Sequence, residues 1–249
     1  MPVTFPPDRI NEAHRTLREH SQWSSHWGFE RYHAELFNGV SFQNKRVLDV
    51  GGGIGTCSFL AVLGGAAEVL CLDPEGDGSN AGSISKFQEL ARRLDITNAR
   101  IEVNTVQALR TAPRSFDVII LHNSINHVDE QACIDFEESE AARAKYRVVF
   151  EKLADIATGG ADLVIADCTS SNIFPMLGLK HPISKSIEWE KHQRPEVWAR
   201  ELEKVGFENP TIRWTAYSRL GALGWALTAN RWGAFLLTGH FMLRMRRRV

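Results

Sequence analysis

The stretch Val47-Leu48-Asp49-Val50-Gly51-Gly52-Gly53-Ile54-Gly55 decides the reading of the fold. A short apolar run passes directly into a glycine-rich turn, and a helical pattern follows from Thr56 to about Leu63. Glycines at such a turn permit positive φ and let a ligand lie against bare backbone. Working outward, four more short apolar runs recur at Glu68–Leu72, Arg100–Val103, Asp117–Leu121 and Leu163–Ala166. Continuous rather than alternating apolar character predicts strands buried on both faces, as in a parallel sheet. Helical stripes separate them: Phe87, Leu90, Ala91 and Leu94, with Ser85 and Gln88 as a capping box; then Tyr146, Val149, Phe150, Leu153 and Ile156. A third is Trp198, Leu202 and Val205, opened by Pro195 and closed by Gly206. This alternation predicts a doubly wound α/β sheet with ligands at the carboxyl ends of its strands. Residues 1–44 read as an N-terminal helical extension, with Asp8 capping a helix and Trp23, Trp27 and Tyr32 serving as a lid; residues 45–249 form the ligand-binding domain.

The second strand ends in Leu72-Asp73-Pro74, and Asp73 follows Gly51 by 22 residues. That spacing suits a carboxylate accepting hydrogen bonds from ribose hydroxyls. A dinucleotide requires G-x-G-x-x-G; here Gly51-x-Gly53 is followed by Thr56 where the third glycine belongs. Asp49, aimed at the loop, would repel a pyrophosphate and suit a cationic ligand without phosphate. S-adenosylmethionine, with its sulfonium, ammonium and ribose, meets that requirement.

The composition sets outer bounds. The chain has 249 residues, 43% hydrophobic and 24% charged, ordinary for a globular protein and unlike a disordered or disulfide-dense one. Its 29 basic and 30 acidic residues balance to a net charge of −1, so no nucleic-acid partner is expected. Cys57, Cys71, Cys133 and Cys168 form no C-x-x-C pair and read as reduced thiols of a cytoplasmic protein; Met1–Arg9 has no secretory character.

At this point the sequence resembles the class I S-adenosylmethionine-dependent methyltransferases. Asp49 to Gly55 is similar to their first motif, [DE]-x-G-x-G-x-G, and Asp73 to their ribose-binding acid. Val106-Gln107-Ala108-Leu109 falls where many members carry Asp-Ala beside the adenine, with Gln107 replacing the acid. Ser115 to Asn123 resembles the fourth motif, and Gly159 to Asp167 the fifth strand. The resemblance implies a Rossmann-like, mostly parallel seven-stranded sheet ending in an antiparallel hairpin, Phe207–Trp214 with His240–Arg246. It implies a cofactor site of Asp49, Gly51, Gly52, Gly53, Gly55, Asp73, Pro74, Gln107 and Ala108, flanked by His122 and Asn123. S-adenosyl-L-homocysteine would be the product. No [DNS]-P-P-[YF] element is present, which argues against nucleobase and protein-amide acceptors; the preferred reading is methylation of a small molecule, on oxygen rather than nitrogen or carbon. The competing readings are a nicotinamide-dependent oxidoreductase and a non-catalytic partner subunit of the same fold.

His127, beyond the fourth strand, is the leading general base, since imidazole titrates near neutral pH. Glu190 and His192, just before the helix at Pro195, are further candidates for a base or a substrate contact. His122 and His127 are five residues apart with no clustered carboxylates, so no metal site is expected. An apolar insert over about 219–238, including Leu220, Leu223, Trp225, Leu227, Trp232, Phe235 and Leu236, precedes the last strand, and Arg244, Arg246, Arg247 and Arg248 follow. Peripheral membrane contact and homodimerisation are the alternatives for this segment; the preferred reading is a buried helix with a solvated basic tail.

Overall fold

The computed structural model of the protein describes residues 6–21, 23, 25–76, 81–182, 187–217 and 221–249. Two helices, α1 (Pro7–His20) and α2 (His26–Leu36), lead into β1 (Arg46–Val50), α3 (Thr56–Leu63), β2 (Glu68–Leu72) and α4 (Ser83–Arg93). Next come β3 (Ala99–Glu102), β4 (Phe116–His122), α5 (Glu130–Ile134), α6 (Glu140–Ile156), β5 (Ala157–Cys168) and α7 (Ile173–Met176). The chain closes with α8 (Pro195–Lys204), β6 (Phe207–Trp214), α9 (Gly221–Thr228), α10 (Arg231–Gly233), a π-turn at Ala234–Thr238 and β7 (His240–Arg247).

The seven strands form one sheet in the order β3-β2-β1-β4-β5-β7-β6. The first five run parallel, and β7 inserts antiparallel between β5 and β6. The strand order reverses between β1 and β4, so a crevice opens at their carboxyl ends, where ligands of such sheets bind. Because strand residues alternate, one apolar run covers both faces. Leu48, Leu70, Ile119, Leu121 and Leu163 meet Tyr146, Phe150 and Trp198 of α6 and α8. Val47, Val69, Val118, Ile120 and Val164 meet Leu17, Phe29, Phe59, Phe87 and Leu90 of α1 to α4. Each such fully buried side chain contributes about 1.5–3 kcal/mol.

Several local expectations are corrected. Helix α4 starts at Ser83 behind Gly82 in the left-handed region, so Ser85 lies inside the first turn and its hydroxyl donates to Gly82 O; there is no capping box. Helix α1 starts at Pro7 with Pro6 at the cap position, which leaves Asp8 in the first turn without a side-chain cap bond. The insert is two short helices and a π-turn rather than one buried helix. Trp225 and Ala234 are buried, whereas Leu223, Leu227 and Trp232 are exposed; Arg219 and Leu220 lie outside the described residues. Nor is the arginine run a loose tail. Asp162 accepts from Arg244 and Arg246, Arg247 donates to Ala154 O and Gly206 O, and Arg248 pairs with Glu208, which ties the end of β7 to its neighbours. All four cysteines are free.

Candidate functional site

The β1–α3 turn is built by its glycines. Gly51, Gly53 and Gly55 have φ of 68°, 55° and 85°, a region that side chains disfavour. A Cβ on Gly52 would lie 2.6 Å from Asp49 Oδ2, and one on Gly55 would enter the Phe87 ring. At Gly53, by contrast, a Cβ would meet nothing closer than Asp73 Oδ2 at 3.9 Å, so this position faces open space. The loop's donors are already committed. Gly51 and Gly52 N–H donate to Leu72 O, and Gly53 N–H donates to Asp73 Oδ2 at 2.8 Å. A pyrophosphate would need such N–H groups free, which disfavours the dinucleotide reading.

Asp49 is fully buried. Its Oδ2 accepts from the Ser58 hydroxyl at 2.7 Å, while Oδ1 has no partner. Burial pushes its carboxyl up to about 6. A buried carboxylate oxygen without a donor, beside bare glycine backbone, fits a cationic group of a ligand. Asp73 is also fully buried, and besides Gly53 it accepts from Glu75 N–H at 2.9 Å and the Ser83 hydroxyl. It braces the loop as well as bordering it.

Two cavities flank this turn. The larger, about 540 Å³, is lined by Asp49, Tyr32, His33, His122, Cys168 and His240 among others. The smaller, about 130 Å³, lies over the ends of β1 and β2 and includes Pro74, Val106, Gln107, Ser124, His127 and Val128. Gly51 and Asn123 line both. Asn123 sits at positive φ, 52°, immediately after β4. The two hollows therefore form one crevice that bends around the strand-order reversal.

Trp23 and Tyr32 of the N-terminal segment line the larger cavity, while Trp27 packs edge-on against Trp225 of α9. The Tyr32 hydroxyl is 2.8 Å from His122 Nε2 and 3.5 Å from His240 Nε2. Burial lowers the pKa of His122 to about 4 against the opposing charge of Asp167. Burial lowers His33 and His240 to about 3, aided in each case by the neighbouring His122. At neutral pH the cavity is thus lined by uncharged imidazoles, and Asp49 is its one ionised group among the described residues.

None of His127, Glu190 and His192 lines this cavity. His127 turns into the smaller hollow, with Nδ1 2.7 Å from Glu130 Oε1. The 3-10 turn Trp189–Lys191 buries Trp189 and leaves Glu190 exposed, lining none of the described cavities. His192 faces Asp167, its Nδ1 3.2 Å from Oδ1 without hydrogen-bond alignment; that nitrogen and Asp167 Oδ2 are buried and unpartnered. With Cys168 they bring one ligand-type atom each to within 4.8 Å of one another. Gln107 is exposed and its amide donates to Val128 O at 3.4 Å; Ala108, also exposed, lies outside the smaller hollow. His122 and His127 stand in different hollows and share no ligand geometry.

The residues that the sequence reading missed are Tyr32 as a polar partner of His122, His33, and His240. His240 opens β7 opposite Cys168 of β5. An antiparallel strand begins where its parallel neighbours end, so its first side chain belongs to the crevice, a signal available from the hairpin assignment alone.

Residues 41–148 match the sequence profile of a methyltransferase domain. Histone-arginine methyltransferase CARMER of Drosophila erecta is 34% identical over 87 residues, 35% of this chain and 15% of that protein. The chain therefore spans a small part of the curated relatives it matches. Among solved structures, an S-adenosylmethionine-dependent methyltransferase from Mesorhizobium loti aligns at a TM-score of 0.60 and 14% identity, covering 88% of this chain and 97% of that one. One from Aquifex aeolicus aligns at 0.58 and 15%, covering 98% and 100%. The [4+2]-cyclase SpnF aligns at 0.62 and 13%, over 100% of both chains. The domain profile spans the glycine turn, Asp73 and the smaller hollow, and the loop chemistry suits a cation rather than a pyrophosphate: residues 41–148 are similar to a methyltransferase domain, in a chain that has the fold of solved S-adenosylmethionine-dependent methyltransferases.

Proposed function

We propose that this enzyme methylates a hydroxyl group of a small molecule held in the larger cavity. The observation that carries the reading is the bent crevice, two hollows joined at Gly51 and Asn123 with the unpaired oxygen of Asp49 on one side and Gln107 on the other. In this assignment Asp49 and Gly51 to Gly53 receive the amino-acid end of the cofactor. Gly55 keeps the turn closed, and Asp73 holds the ribose. Pro74, Gln107 and His127 border the adenine, Ala108 stands beside them outside the hollow, and His122 and Asn123 mark where the two hollows meet. Residues 1–44 act as a roof over residues 45–249. When bound, S-adenosylmethionine supplies the methyl group on its sulfonium.

The cavity's chemistry supports a neutral acceptor. Its volume lies within the ~300–1,000 Å³ typical of small-molecule sites. Its polar groups are hydroxyls, an amide and neutral imidazoles, and its single carboxylate is assigned to the cofactor. A hydroxyl oxygen gaining a methyl group becomes strongly acidic, so even an imidazole of low basicity can take its proton. We assign that transfer to Tyr32 and His122: the phenol accepts the acceptor's proton as it passes its own to Nε2. The charge of Asp167 favours the protonated ring.

Tyr32→Phe and His122→Ala should each lower kcat by ~10²–10⁴-fold with cofactor affinity little changed. The wild-type rate should show no titration near pH 6.5, because His122 stays neutral well below that pH. His127→Ala should instead weaken cofactor binding and leave kcat near wild type. The reverse pattern, with kcat lost in His127→Ala and kept in His122→Ala, would return the base to His127.

A further inference from the structure

The insert and the segment after β5 share an outer surface that the transfer reaction does not use. Helix α7 packs on the π-turn that ends at Thr238, and α10 joins that turn to α9. Along these elements Leu223, Leu227, Trp232, Leu236, Met176 and Leu177 are exposed, with Leu223 and Trp232 at 75% and Met176 at 72%. Exposed apolar side chains grouped on one set of packed elements mark interaction sites.

The segments that carry these side chains hold no acidic residue. The sequence has no Asp or Glu between Asp167 and Glu188, and none after Glu208. Lys180 and Arg231 are exposed within these segments and pair with no acid among the described residues. Beside Trp232 lies a hollow of about 480 Å³ lined by Arg231, Arg194, Glu196, Thr169, Ser171 and Trp214; Arg194 is also paired to Glu137 at 2.8 Å, which leaves Arg231 as the cation of this hollow with no acid paired to it among the described residues. Aromatic and leucine side chains flanked by unpaired cations match a bilayer interface bearing negative headgroups. A second copy of this chain fits poorly, because a two-fold contact would set the same cationic face against itself. Among the described residues no helix is long and apolar enough to cross a membrane, so the contact is with a surface.

We propose that this face docks the enzyme on an anionic lipid bilayer, with Leu223, Leu227, Trp232 and Leu236 in the interface and Arg231 and Lys180 against the headgroups. The inference goes beyond the transfer reaction, and binding of S-adenosylhomocysteine in solution serves as an independent control.

Flotation of the full chain with vesicles of phosphatidylcholine alone, or of phosphatidylcholine mixed with phosphatidylglycerol, tests it. The wild-type chain should float with the mixed vesicles, weakly with the neutral ones, and less as salt rises. Trp232→Glu with Leu223→Glu should lower partitioning by roughly tenfold or more, and S-adenosylhomocysteine affinity by calorimetry should be unchanged. Arg231→Glu, which leaves the apolar face intact, should also weaken binding to the mixed vesicles. Absence of wild-type flotation overturns the proposal, as does equal flotation of wild type and both variants. So does a wild-type dimer in gel filtration that Trp232→Glu dissociates, because the second copy would then occupy the face.

Discussion

Asp49 carries more of the site's electrostatics than any other side chain. Burial raises its carboxyl to about 6 against the pull of the Ser58 hydrogen bonds. In the unliganded chain this carboxyl favours the fold most at low pH and costs stability as pH rises through about 6. Ligand binding carries the opposite sign. The cofactor's ammonium favours the ionised form, so affinity should be full above pH 6 and fall below it, by up to about tenfold per pH unit. Calorimetry with S-adenosylhomocysteine in two buffers of different ionisation enthalpy should report proton release near pH 6. Asp49→Asn should remove both the release and the pH dependence. This residue was legible in the sequence, because a carboxylate two positions before Gly51 on a buried strand has only the crevice to face. His127 stands outside the larger cavity for a physical reason. Its place after β4 was correct, but the turn from Ser124 to His127 carries the ring back over the β1 side and against Glu130.

At the scale of the element, the glycine turn separates folding from binding. Gly55 stands at a φ of 85° with its missing Cβ directed into Phe87, so Gly55→Val should destabilise the domain along with the site. Gly53 has a φ of 55° and open space before it. Gly53→Val should therefore cost about 1–3 kcal/mol of backbone strain and lose most cofactor affinity on a chain that is still folded. Thermal melts paired with calorimetry on both variants check this; equal loss of melting temperature with retained binding in Gly53→Val would place the cofactor elsewhere. Strand positions were readable here because continuous apolar runs admit few alternatives: β1, β2 and β6 begin and end as their patterns predict. Helix starts were less so. The capping signal at Ser85 competes with Gly82, whose left-handed backbone opens α4 three residues earlier than that signal implies. The insert's pattern gave no amphipathic period to orient, and which of its apolar side chains are buried depends on α2 and α7, which are remote in sequence.

Across the whole molecule, three histidines join the N-terminal helix α2 to the sheet. His33 of α2, His122 at the end of β4 and His240 at the start of β7 stack with Tyr32 over the larger cavity. All three have pKa values held below the free imidazole value by burial. A histidine depressed in the folded state contributes stability present above about 6.5 and lost as pH falls toward its folded value. The urea midpoint should therefore drop between pH 7 and pH 5, and His33→Gln should flatten that slope. A midpoint constant over the interval would mean that these rings titrate as free ones do. The topology was predictable from the strand and helix order; the histidine seam was not, since it joins positions that only the closed fold brings together.

The central claim is the placement of the cofactor along a crevice bent at Gly51 and Asn123, and a crystal structure with S-adenosylhomocysteine tests it most directly. The amino-acid end should lie against Asp49 and Gly51 to Gly53, the ribose at Asp73 and the adenine beside Pro74, Gln107 and His127. The sulfur should then face the larger cavity next to Tyr32 and His122. An adenine ring found in the larger cavity, with Gln107 and His127 free of contact, would contradict the account.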